Sequence, residues 1–88
     1  MQVIAYPPFD ALLGAREITL PLQDITLWEL LQALAREHPD FARELPREAG
    51  DEALRSRLLP LGAGRVYSVR DVLPAGGTVK LFPPVAGG

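Results

Sequence analysis

The chain has 88 residues, 48% of them hydrophobic, with a formal net charge of -2 and no cysteine. That length suits one domain rather than two, with one modest core and little room for a deep internal active site. The lack of cysteine excludes disulfides, thiolate metal sites and a thiol nucleophile, and the absence of a basic run interleaved with aromatics argues against nucleic acid as a partner.

Gln2 to Tyr6 is rich in β-formers and reads as a short strand, ended by Pro7-Pro8 because proline donates nothing to a ladder. Its start lacks the charged and then apolar pattern of a signal peptide, and no stretch approaches the ~18 apolar residues of a membrane span, so the expected location is the cytoplasm, with no membrane partner. Phe9 to Gly14 reads as a connecting turn or short helical piece, with Gly14 suited to a positive φ. Arg16 to Leu22 alternates, with Ile18, Leu20 and Leu22 on one side and Glu17, Thr19 and Pro21 on the other. Period two of this length predicts a half-buried strand and, with the first strand, a hairpin.

Thr26 is a good N-cap, and Glu29 stands where a capping box needs its acid. Ile25 and Leu30 are spaced as a hydrophobic staple. Leu27, Leu30, Leu31 and Leu34 recur at helical spacing, which predicts an amphipathic helix from Leu27 to about His38, stopped by Pro39. From Asp40 to Arg57 the chain is polar, and Phe41, Leu45, Leu54 and Leu58 are the anchors available for one or two helical turns around a break at Gly50. Leu58 to Leu61 reads as a short strand, with Pro60 favouring an edge position. Gly62-Ala63-Gly64 is a turn, Val66, Tyr67 and Val69 suggest an extended piece, and Val72 to Gly77 is a second turn. Thr78 to Phe82 is β-branched and aromatic enough for a central last strand. Together these elements predict an α+β layer, a mixed sheet with one main helix on one face.

Pro83-Pro84-Val85-Ala86-Gly87-Gly88 carries the most functional information. Two prolines stiffen the exit from the last strand, Val85 offers one apolar contact, and then only small residues follow. A segment with so little side-chain bulk can thread a narrow channel in a partner, since glycine admits close backbone approach. A bare Gly-Gly end is more often a frayed terminus; the preceding Phe-Pro-Pro-Val-Ala reverses that weighting.

Leu81-Phe82-Pro83-Pro84-Val85-Ala86-Gly87-Gly88 resembles the C-terminus of the MoaD/ThiS family of ubiquitin-like sulfur carriers, and is most similar to the Phe-Pro-Pro-Val-(Ser or Ala)-Gly-Gly tails of molybdopterin synthase small subunits. Leu12-Leu13-Gly14 is similar to that family's early Leu-Gly turn, and Thr26-Leu27-Trp28-Glu29-Leu30-Leu31 to its helix start. Gly64 and Leu73 fall at two of its later turns. The chain departs from the pattern at Ala63, where the family has asparagine, at Gly77, where it has aspartate, and at Pro60, in a strand usually free of proline.

The resemblance implies a β-grasp domain over residues 1–82 and a functional tail over 83–88. It implies that an E1-like adenylyltransferase/sulfurtransferase adenylates Gly88 with ATP and that a sulfur donor converts the acyl-adenylate to a thiocarboxylate. The thiocarboxylate then delivers sulfur in the large catalytic subunit of molybdopterin synthase. ATP, metal and catalytic groups belong to those partners; the expectation for this chain is no bound cofactor or metal and no enzymatic activity of its own. Gly87, Ala86, Val85, Pro84 and Phe82 are the expected partner-binding residues, Phe82 being as readily a core residue; Arg65, Arg70 and Lys80 are available for a polar rim but read first as ordinary solvated charges. Carriers for thiamin, cysteine or tRNA thiolation, a ubiquitin-like protein modifier and a plain interaction module are the other readings.

Other residues read as structural. His38, the only histidine, sits where a helix C-terminus favours a cation. Asp51-Glu52 and Asp40/Glu44 read as solvated charge. Gly62-x-Gly64 and Gly76-Gly77 lack the lysine or helix of a phosphate loop and read as turns. Trp28 reads as a half-buried packing residue.

Overall fold

The structure is a computed structural model and describes residues 1–84. Its elements are β1 (Gln2–Ala5), α1 (Phe9–Leu13), β2 (Glu17–Thr19), α2 (Leu27–Glu37), α3 (Pro39–Ala42), α4 (Asp51–Arg55), β3 (Leu59–Gly62), β4 (Arg65–Val66) and β5 (Thr78–Phe82). The five strands form one mixed sheet in the order β2-β1-β5-β3-β4. β5 lies in its centre, parallel to β1 and antiparallel to β3. A helix laid across a sheet of this topology is the β-grasp arrangement that the resemblance implied.

The β1–β2 hairpin forms as the alternation predicts, but β2 is shorter than Arg16–Leu22. Leu20 still donates to the Met1 carbonyl at 2.8 Å. Beyond it β1 offers no further partner, and Pro21 has no N–H to give. Leu20 and Leu22 instead pack half-buried against the core. The link between the strands is α1, ended by Gly14 at φ 74°.

Helix α2 is built as its sequence indicates, burying Leu27, Leu30, Leu31 and Leu34. They meet Val3 and Ala5 of β1 and Val79 and Leu81 of β5 in one core. The capping box closes in both directions: the Glu29 N–H donates to Thr26 Oγ1 at 3.2 Å, and the Thr26 N–H donates to Glu29 Oε1 at 2.9 Å. The two amides between them find partners in a distant loop, Leu27 N–H on the Asp71 carbonyl at 2.9 Å and Trp28 N–H on that of Val69 at 3.1 Å. The first-turn donors that a helix cannot satisfy internally are thus covered.

The polar segment folds around its few apolar residues. Pro39 stops α2 and opens α3, where a missing N–H costs nothing. Phe41 is buried edge-on to Phe9, centroids 6.1 Å apart. Leu54 of α4 and the following Leu58 complete that side of the core.

Two expectations need correction. Pro60 does not sit in an edge strand: β3 lies between β5 and β4, and Pro60 is buried opposite Leu81. The Pro60 carbonyl accepts from the Tyr67 N–H at 2.8 Å, so its nitrogen faces the same way, away from β5 and past the short β4. No ladder bond to β5 is lost, because a strand residue's N and O point to one side. The extended piece through Val69 is also cut short. Only Arg65–Val66 pairs, while Tyr67 and Val69 are buried in the loop that caps α2.

Candidate functional site

Parity along the central strands defines the face that carries the site. In β5, Val79 and Leu81 enter the core, so Thr78, Lys80 and Phe82 lie on the opposite, open face. Register puts Ile4 and Leu61 beside Lys80, and Leu59 beside Phe82. These apolar neighbours are half-buried and Lys80 is exposed. The middle of the open face is therefore an apolar strip around one ammonium, bordered on β2 by Glu17 beside Ile4.

Phe82 closes the strip where the chain leaves the sheet. Its ring stacks on Tyr6 at 4.2 Å between centroids and 12° between planes, and the Arg16 guanidinium lies 5.6 Å from the Tyr6 centroid. Both residues are half-buried, so each retains surface that a partner can cover. The Tyr6 N–H donates to the Leu81 carbonyl at 3.0 Å, which fixes the strand end before Pro83. Phe82 is thus neither fully core nor a free surface ring. Pro84 is exposed. Val85, Ala86, Gly87 and Gly88 lie outside the described residues.

Beside Phe82 a groove of about 390 Å³ runs between β5 and the β3–β4 turn, lined by Leu61, the turn from Gly62 to Arg65, Thr78, Lys80 and Phe82. The turn is tight, with positive φ at both Ala63 (51°) and Gly64 (74°). That geometry belongs to the two-residue hairpin loop that favours asparagine and glycine. It explains why the family pattern has asparagine where this chain has Ala63. Gly62 is held close: a Cβ there would stand 2.7 Å from the Thr78 carbonyl oxygen and from a Tyr67 ring carbon.

The three cations weighed as a polar rim separate. Lys80 and Arg65 line the groove. Arg65 is also paired with Asp71 at 3.0 Å and covers the Tyr67 ring at 5.2 Å. Arg70 is exposed on the capping loop and does not line the groove. Asp51, read as solvated charge, is instead a structural hub. Its carboxylate accepts from the Val69 N–H at 2.8 Å and from the Ser68 hydroxyl at 2.9 Å, tying α4 to the loop over α2. The Val69 amide, then the Ser68 hydroxyl, hold its pKa below the usual aspartate range.

Sequence reasoning missed Tyr6 and Ile4 as members of the site, although the parity of Gln2 to Tyr6 places both opposite Val3 and Ala5. Among the described residues no group of three or more His, Cys, Asp or Glu is arranged to hold a metal ion. No helix there is long and apolar enough to cross a membrane.

No family model and no curated protein matches the sequence. Solved structures do match it. The crystal structure of SAMP1 from Haloferax volcanii is 27% identical, covers 99% of this chain and 97% of its own, and gives a TM-score of 0.74. The solution structure of the HVO 2177 protein of the same organism is 25% identical, covers 99% of this chain and 84% of its own, and gives 0.80. A Pyrococcus furiosus protein provisionally assigned as molybdopterin converting factor, subunit 1, is 26% identical, covers 96% of this chain and 95% of its own, and gives 0.72. The chain therefore has the ubiquitin-like fold of a small archaeal modifier and of a MoaD-type protein, along nearly its whole length.

Proposed function

We propose that this chain is a sulfur carrier whose Gly88 carboxylate is adenylated and then thiocarboxylated, and that it serves as the small subunit of molybdopterin synthase. The observation that carries the reading is the junction at Phe82. A central strand, braced by Tyr6, hands the chain to Pro83-Pro84 and the sequence Val85-Ala86-Gly87-Gly88 beside an open apolar face. Such a body contributes positioning: it docks through the sheet face and offers a narrow acyl end to another protein's catalytic groups. A free carboxylate is a poor electrophile, so an E1-like partner supplies ATP and makes the acyl-adenylate; displacement of AMP by a sulfur donor gives the thiocarboxylate. The likeness to the Pyrococcus furiosus protein favours transfer to a pterin precursor in the large subunit.

Deleting the gene in its native host is expected to abolish molybdoenzyme activity and leave growth without thiamin intact. Complementation by the full chain restores the activity, and a chain lacking Gly88 does not. Loss of thiamin synthesis with molybdoenzymes unaffected would refute the molybdopterin assignment.

A second reading, a protein modifier that forms amide bonds to lysines, is favoured by the likeness to SAMP1. Host proteins carrying the chain on lysine, found in the same strains, would establish it.

A further inference from the structure

Any protein that carries an activated acyl group must contend with its own amines. Of the nine Lys and Arg residues in this chain, eight are arginine, and Lys80 is the sole lysine. Guanidinium stays protonated and is no acyl acceptor. The amine of Met1 is half-buried and donates to the Leu20 carbonyl at 3.1 Å. Lys80 is exposed in the middle of the open face, and neither of the two ion pairs among the described residues involves it. Its ammonium borders the groove beside Phe82, whose far wall is the turn Gly62-Ala63-Gly64 and Arg65. The Gly62-Ala63-Gly64 part of that wall has almost no side-chain bulk, so the groove admits an extended chain of small residues there, and Arg65, although paired with Asp71, is a second cation at its edge.

We propose that Lys80 is an acylation site: its ε-amine accepts the activated Gly88 acyl group of a second copy of this chain, seated in the groove. The inference rests on the proposed activation of Gly88. The neutral Lys80 Nζ attacks the carbonyl carbon of the Gly88 acyl-adenylate, itself made from ATP. A carbon–nitrogen amide bond forms, the carbon–oxygen bond to the phosphate breaks, AMP leaves with the electron pair, and the amine proton passes to solvent. The acceptor in this proposal is a second copy because Pro83 and Pro84 fix φ and favour an extended exit from β5, which opposes a turn straight back onto the Lys80 of the same chain. With one lysine per chain, all linkages between copies are of one type and join the copies head to tail. The attached copy then lies across the strip between Ile4 and Leu61, so a conjugated carrier no longer docks.

The test uses the full chain prepared as a Gly88 thioester, which bypasses the activating enzyme. Mixed with unmodified chain, it is expected to release the thiol and give a species of twice the chain mass less one water, with Leu81–Gly88 of the donor found on Lys80 after tryptic digestion. Lys80→Arg is expected to remove that species. A Lys80→Arg/Arg47→Lys chain, whose lysine is exposed but has no groove, is expected to react about tenfold more slowly than the wild type. Equal rates for the two lysines, acylation chiefly at Met1, or a monomeric lactam would overturn the proposal. A parallel incubation with the activating enzyme and ATP reports separately on Gly88 activation: thiocarboxylate without acylated Lys80 in the thioester arm defeats this inference alone. Acylated Lys80 without activation of Gly88 defeats the carrier reading alone.

Discussion

Ala63 shows how a single residue can be at odds with its turn. It holds a left-handed φ of 51° next to Gly64 at 74°, a conformation in which a Cβ costs about 1–2 kcal/mol. Asparagine tolerates it through local hydrogen bonding. Ala63→Asn is therefore expected to stabilise the domain by about 1 kcal/mol, read as a rise in Tm of roughly 4–8 °C. An unchanged or lowered Tm would mean that the turn relaxes differently. Legibility at this scale followed locality. Gly14 and the Thr26–Glu29 pair were visible because their geometry depends on neighbours in sequence. Asp51 was not visible, because its partners Ser68 and Val69 come from 17 and 18 residues away.

At the scale of elements, α2 and the loop over its start form one unit. Thr26, Asp71 and Val69 satisfy successive first-turn amides of the helix, and Asp51 holds the loop in place. Thr26→Ala is expected to cost about 1 kcal/mol of unfolding free energy, measured by urea denaturation. Asp51 gives a pH dependence of definite sign. Its pKa is lowered in the folded state, so its contribution is full above the ordinary aspartate pKa and is lost as pH falls through the folded value. Glu29 acts in the same direction, its pKa lowered by the Thr26 amide first and the hydroxyl second. In Asp51→Asn the urea midpoint is expected to be lower at neutral pH and to fall less steeply towards acid than in the wild type; parallel profiles would contradict that role. The sequence was legible for α2, β1 and β5, whose periodicities are undisturbed. It was less so for β2, β3 and β4, where Pro21, Pro60 and the short β4 leave pairing to the register of distant strands. In the polar segment, Phe41, Leu54 and Leu58 were the right anchors, but only packing on Phe9 and the core decides which turns become helical.

At the scale of the whole molecule, the sheet serves two purposes on its two faces. One is covered by α2 and holds the core. The other leaves an apolar strip and a groove beside the point where the chain exits, so in the proposed function docking and presentation of the tail share one strand, β5. The tail sequence suggested the chemistry proposed above; the face that accompanies it emerged only with the register that aligns Ile4, Leu61 and Leu59 with Lys80 and Phe82. The most direct test of the account is the intact mass of the protein isolated from cells that also produce its activating enzyme. The account predicts a species heavier by the exchange of one oxygen for sulfur, localised by fragmentation to Gly88 and absent when Gly88 is deleted, with Tm unaltered by the deletion. An unmodified Gly88 carboxylate in the presence of active enzyme, ATP and sulfur donor would contradict it.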